Sequence, residues 1–169
     1  MKIGIILHSQ TGNTLSVGEK LLEQLTQMGH DVTLKRIKNL ESPEKEQKAK
    51  DIKLDSMPEV DDYDALIFGA WVQAFQLCPG FSMYLNQLPR IDDKPVSCFV
   101  TQHFPFKWMG GSIALSKMKG ILTSKGVKVK TTGVVNWTSK KKEQQIEELV
   151  NQLSGPFEGG TDSVVSNGK

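Results

Sequence analysis

Apolar and polar positions along this chain alternate between two spacings. Short apolar runs of strand length are followed by longer stretches in which apolar residues recur every three or four positions, the signature of one helix face. The first run predicts a strand at about Lys2–Leu7 and a helix at about Asn13–Met28, with Leu15, Leu22 and Leu25 among its apolar positions and Gly29 as its C-cap. A second strand is expected at Asp31–Ile37, and the charged stretch Glu41–Lys53 reads as a solvated helix or loop. The strongest strand signal is Ala65-Leu66-Ile67-Phe68-Gly69-Ala70, introduced by the turn-like Asp61-Asp62-Tyr63-Asp64. A loop then runs to Pro79, and a helix from about Gly80 carries Phe81, Met83, Tyr84, Leu85 and Leu88 to a stop at Pro89. The pattern continues with a strand at Pro95–Thr101, a helix at about Ser112–Lys125, a strand at Val127–Trp137 and a helix at about Lys140–Leu153.

Five strands alternating with helices predict a three-layer α/β domain: a parallel sheet covered on both faces, with right-handed crossovers. Ligands of such sheets bind beyond the carboxyl ends of the strands, where the strand order reverses. That rule selects three loops, Ser9–Thr14, Ala70–Cys78 and Thr101–Gly111. The 169 residues fit one domain, expected over residues 1–153, and the Gly-, Ser-, Asn- and Asp-rich tail 154–169 is expected to be disordered. No internal repeat is visible.

Composition removes several classes of function. A formal net charge of +2 gives no electrostatic case for nucleic acid or a membrane surface. No apolar run approaches the roughly 20 residues that span a bilayer. Cys78 and Cys98 form no CxxC pair, and the spacing of His8, His30 and His103 suggests no metal site. The segment after Met1-Lys2 has no signal-peptide character, so the cytoplasm is the expected compartment. The run Lys140-Lys141-Lys142, followed by Glu143, Glu147 and Glu148, reads as a solvated helix face.

The chemistry concentrates in the first turn, Ser9-Gln10-Thr11-Gly12-Asn13-Thr14, between a strand and a helix N-terminus. Helix N-termini present unpaired N–H groups and the positive end of the dipole, and so attract anions. The turn adds the hydroxyls of Ser9, Thr11 and Thr14 and the amide of Asn13, without Lys or Arg. Neutral donors suit the phosphate of a small cofactor better than a triphosphate with its metal. Neither GxxxxGK[ST] nor GxGxxG is present. The alternative is a helix cap rich in Ser and Thr, although one cap needs only one side chain.

Strand, [ST]-x-T-G-x-T and helix resemble the phosphate loop of the flavodoxin-like family, whose members bind flavin mononucleotide (FMN). The resemblance extends over about residues 2–153 through the order of elements. Asp64–Gly69, a loop, and Phe81–Leu88 are similar to the NAD(P)H:quinone oxidoreductase branch. The resemblance implies a flavodoxin-like sheet in the order 2-1-3-4-5. It assigns Ser9, Gln10, Thr11, Gly12, Asn13 and Thr14 to the FMN phosphate. Ala70, Trp71, Val72 and Gln73, with Thr101, Gln102, His103 and Phe104, fall to the isoalloxazine ring. Trp71 is then either a stacking plate or a core aromatic. His103 is either a donor to the flavin pyrimidine edge and proton source for a quinone, or a loop histidine held by the backbone. His8 reads as structural and His30 as a surface residue.

Two functions follow from the resemblance. One is an NAD(P)H-dependent flavin oxidoreductase that passes hydride through flavin N5 to a quinone-like acceptor. The other is a flavodoxin-type electron carrier that docks on redox proteins. Carriers resembling flavodoxin are strongly acidic, whereas this chain has a pI near 8.5. The loop Phe104-Pro105-Phe106-Lys107-Trp108-Met109 also resembles a substrate surface or a surface between subunits of a homo-oligomer more than a hydrated docking rim. Both features favour the enzyme.

Overall fold

In the computed structural model, which describes residues 1–40, 52–106 and 108–158, the strands build one twisted sheet. The elements are β1 (Lys2–His8), α1 (Asn13–Gln27), β2 (Asp31–Ile37), β3 (Ala65–Gln73), β4 (Gln76–Leu77), α2 (Pro79–Gln87), β5 (Val96–Gln102), α3 (Gly111–Ser124), β6 (Val129–Asn136) and α4 (Lys142–Ser154). Five strands run parallel in the order β2-β1-β3-β5-β6, with the two-residue β4 antiparallel on the end of β3. Leaving β4 aside, this is the 2-1-3-4-5 order expected. The order reverses between β1 and β3, whose pairing ends at Leu7 and Gly69, so a crevice opens between the chain beyond Leu7 and that beyond Gly69.

Strand alternation sorts side chains onto two apolar layers. Ile6, Phe68, Ala70, Cys98 and Val100 pack with Phe81, Tyr84, Met118 and Leu122 of α2 and α3. Ile3, Ile5, Leu7, Ile67 and Phe99 pack with Val17, Leu21 and Leu25 of α1 and Leu149 and Leu153 of α4. Each such large side chain, removed from water, contributes about 1.5–3 kcal/mol. The rigidity of these layers holds the strand ends, and hence the crevice, in place.

Three local expectations are corrected. The loop before Pro79 contains a tight hairpin, with Val72 opposite Leu77 and Gln73 opposite Gln76. Its turn residues Ala74 and Phe75 both adopt left-handed backbone, at φ 48° and 64°. The chain beyond residue 153 is built into the domain as far as Glu158: Gly155–Phe157 form a single 3-10 turn, and Phe157 is buried under the α1–α4 layer. His30 is half-buried rather than a surface residue, and its Nε2 lies 3.1 Å from the Phe157 carbonyl oxygen. Most of the charged stretch 41–53 and the tail from residue 159 lie outside the described residues.

Candidate binding site at the strand-order switch

The turn after β1 works differently from its composition. Ser9 is buried, and its Oγ accepts hydrogen bonds from the amides of Gly12 and Leu15, both at 3.2 Å. Thr14 is buried too, its hydroxyl 2.9 Å from that of Thr101 on β5. These two hydroxyls shape the turn. Gly12 reverses the chain at φ 103° immediately before α1. The amides of Thr11, Asn13 and Thr14 have no acceptor among the described residues. The turn is braced from behind by Arg36 of β2, whose Nε donates to the Ser9 carbonyl at 2.9 Å. Main-chain donors, with the side chains of Thr11 and Asn13, are therefore left for a ligand.

A pocket of about 270 Å³ opens in front of this turn. Ser9, Gln10, Thr11, Asn13 and Thr14 line one end; Trp71, Val72, Thr101, Gln102, His103 and Trp137 line the rest. Four of the residues assigned by resemblance stand outside this lining. Gly12 only turns the chain, Ala70 is sealed in the core, and Gln73 pairs with Gln76 across the hairpin. Phe104 points away and stacks on Phe75, with ring centroids 4.4 Å apart.

The aromatic walls are held by hydrogen bonds. Trp71 Nε1–H donates to His8 Nδ1 at 2.9 Å, and His8 Nε2 lies 2.8 Å from Asn39 Oδ1. Desolvation by burial holds His8 below the ordinary histidine value of 6.5, even though its hydrogen bond to Asn39 favours the charged form. Trp137, immediately after β6, was not singled out in the sequence. Its amide donates to the Gln102 carbonyl at 2.7 Å, and Lys142 Nζ sits 4.6 Å from its ring centre. Trp137 occupies the carboxyl end of a strand, as Trp71 and Gln102 do, and that position was its signal. His103 is exposed; its Nε2 is 3.4 Å from Asn13 Nδ2 and its carbonyl accepts from the Thr138 hydroxyl at 3.1 Å.

Beside the pocket lies an apolar shoulder. The Gln102 side-chain amide donates to the carbonyls of Phe104 and Phe106 at 2.9 and 2.8 Å, stapling the loop. Gly110, at φ 122°, lets that loop approach the β3–β4 hairpin: a Cβ there would come within 2.6 Å of Val72 Cγ1 and 2.9 Å of Phe75 Cα. Phe75, Phe106 and Trp108 are left 47%, 55% and 69% exposed. Cys78 and Cys98 are both buried, and burial pushes the Cys78 thiol up to about 12, so it stays protonated.

Sheet order, covering helices and a crevice at the switch define a flavodoxin-like fold. No family model matches the chain, and no curated protein matches it. Among solved structures it superposes on flavodoxin 1 of Bacillus cereus with a TM-score of 0.67 at 16% identity, over 96% of this chain and 100% of that one. A flavodoxin of Pseudomonas aeruginosa gives a TM-score of 0.65 at 13% identity, over 94% and 100% of the two chains. The flavodoxin of Streptococcus pneumoniae TIGR4 gives 0.62 at 15% identity, over 92% and 99%. Among the described residues, no helix is long and apolar enough to cross a membrane.

Proposed function

We propose that this protein binds FMN at the switch crevice and exchanges electrons through it. One observation carries the reading: a single pocket joins unpaired amides at a helix N-terminus to two tryptophans, so a phosphate and a flat ring have complementary walls within one ligand's length. The donor set fits a phosphate, because Thr11, Asn13 and the three free amides donate to an anion without a competing carboxylate in the lining. The ring would lie against Trp71, with Trp137 beside it. When bound, FMN supplies the redox chemistry, and the protein supplies binding, orientation and electrostatics. The pocket volume falls slightly below the range of about 300–1,000 Å³ usual for such ligands. One ring edge would therefore emerge beside the shoulder of Phe75, Phe106 and Trp108.

Electron carriage between redox proteins is the reading supported by the neighbours, three flavodoxins matched over their whole length. A second reading, an NAD(P)H-dependent reductase of a quinone-like acceptor, is favoured by the basic charge and by the aromatic shoulder, on which a planar acceptor could lie. Here His103 would face the acceptor as a proton donor. The purified protein is expected to be yellow or to take up added FMN, and a colourless protein that ignores FMN refutes the flavin reading. Under anaerobic conditions, bleaching of the bound flavin by NADH or NADPH selects the reductase. Bleaching only by a reductase protein selects the carrier.

A further inference from the structure

We propose that His8 is the positioning residue of this pocket: by accepting the indole proton of Trp71 it fixes the wall on which a planar ligand lies, so that ligand affinity falls when His8 takes up a proton. The ligand half of this inference rests on the FMN reading; the His8–Trp71 half does not.

The hydrogen-bond chemistry leaves one protonation state. An indole N–H can only donate, so His8 Nδ1 must be the acceptor of the 2.9 Å bond. A neutral imidazole then carries its proton on Nε2, and Asn39 must present its oxygen at 2.8 Å. His8 is wholly buried, so neither nitrogen has water as an alternative. Gly80, in the first turn of α2, closes the space behind the ring: a Cβ there would come within 2.9 Å of His8 Nε2 and 2.7 Å of Asn39 Oδ1. The positive end of α2 therefore abuts the imidazole and opposes its protonation.

The charged groups around His8 divide. Arg36 of β2 opposes protonation, Asp55 favours it, and burial outweighs both. Cys78, at the start of α2, stays neutral because burial pushes its thiol up to about 12. The path continues beyond His8. The Asn39 main-chain amide donates to Gln10 Oε1 at 3.3 Å, and Gln10 lines the pocket with Trp71. One chain of hydrogen bonds thus ties the ring wall to the phosphate turn through His8.

A proton on Nδ1 turns the acceptor into a donor facing another donor, and the indole must swing away. By linkage, a ligand that needs Trp71 in place must hold that proton off His8 to the same extent.

The test has two arms. In the ligand-free protein, nitrogen NMR of His8 is expected to show the proton on Nε2 at neutral pH. The Trp71 indole resonance should shift on acidification, with its midpoint below the ordinary histidine value of 6.5. In the second arm, FMN affinity of the wild type is expected to fall about tenfold between about pH 7.5 and about pH 5. His8→Asn keeps an acceptor where Nδ1 stood and has no proton to take up. Its affinity should change by no more than about twofold over the same range, the residual effect of phosphate ionisation. His8→Leu should bind weakly at both ends. A proton found on Nδ1, or a wild-type profile equal to that of His8→Asn, overturns the proposal. Failure to bind FMN at any pH overturns the flavin reading instead, and the NMR arm then decides the role of His8 alone.

Discussion

The two sides of the crevice present their chemistry in opposite ways. In the turn after β1 the two buried hydroxyls are tied inward and the backbone is free. Ser9 and Thr14 spend their oxygens on Gly12, Leu15 and Thr101, while the amides of Thr11, Asn13 and Thr14 remain open. In the shoulder the backbone is tied and the side chains are free. Gln102 binds the carbonyls of Phe104 and Phe106, and the rings of Phe75, Phe106 and Trp108 face outward. Fixed main-chain dipoles suit a charge, because they need no reorganisation to meet it. Aromatic rings on a stapled loop suit an apolar surface, because little backbone entropy is left to lose on contact. The crevice is thus polar and specific on one side, apolar and tolerant on the other.

The comparison can be broken most severely at Gly110. Gly110→Ala forces a β-carbon into a left-handed position against Val72 and Phe75. The strain and overpacking together should cost about 3 kcal/mol in urea unfolding; a loss below about 1 kcal/mol would mean that the loop does not depend on this close approach. On the polar side, Thr11→Ala and Asn13→Ala should each weaken FMN by about 1–3 kcal/mol in a binding titration, with little change in folding. Unchanged affinity in both variants would place the phosphate elsewhere. The smallest effect on the fold belongs to Trp108→Ser. Its 69% exposed ring should alter stability by no more than about 0.5 kcal/mol. FMN affinity should hold while electron transfer to the acceptor or partner slows by about fivefold, the loss of one interface aromatic. Transfer at the wild-type rate would remove the shoulder from function.

The sheet was legible because its central strands are almost wholly apolar: Ile3 to Leu7, Ala65 to Ala70 and Val96 to Val100, broken only by Gly4, Gly69 and Ser97, read as buried strands. The first turn was legible as an anion cradle because donors crowd a strand-to-helix junction. How the donors divide was not, since Ser9 meets Gly12 and Leu15, and Thr14 meets Thr101, only in the folded chain. The β3–β4 hairpin escaped because its turn is Ala74-Phe75, with none of the Gly, Asn or Asp that marks left-handed turn positions. Trp137 was hidden inside a strand pattern, and its place in the pocket follows from β6 ending beside β5. His8 looked structural for want of a visible partner, because Trp71 lies 63 residues away.

The single turn after α4 has a practical side. Phe157 reaches beneath α1 and α4, and its carbonyl meets His30. A gene trimmed to the last helical leucine, Leu153, would still encode every strand and almost all of every helix, yet would leave an open socket in the floor of the domain. A reporter, tag or further domain spliced onto this protein belongs after Glu158, where the splice leaves that plug in place.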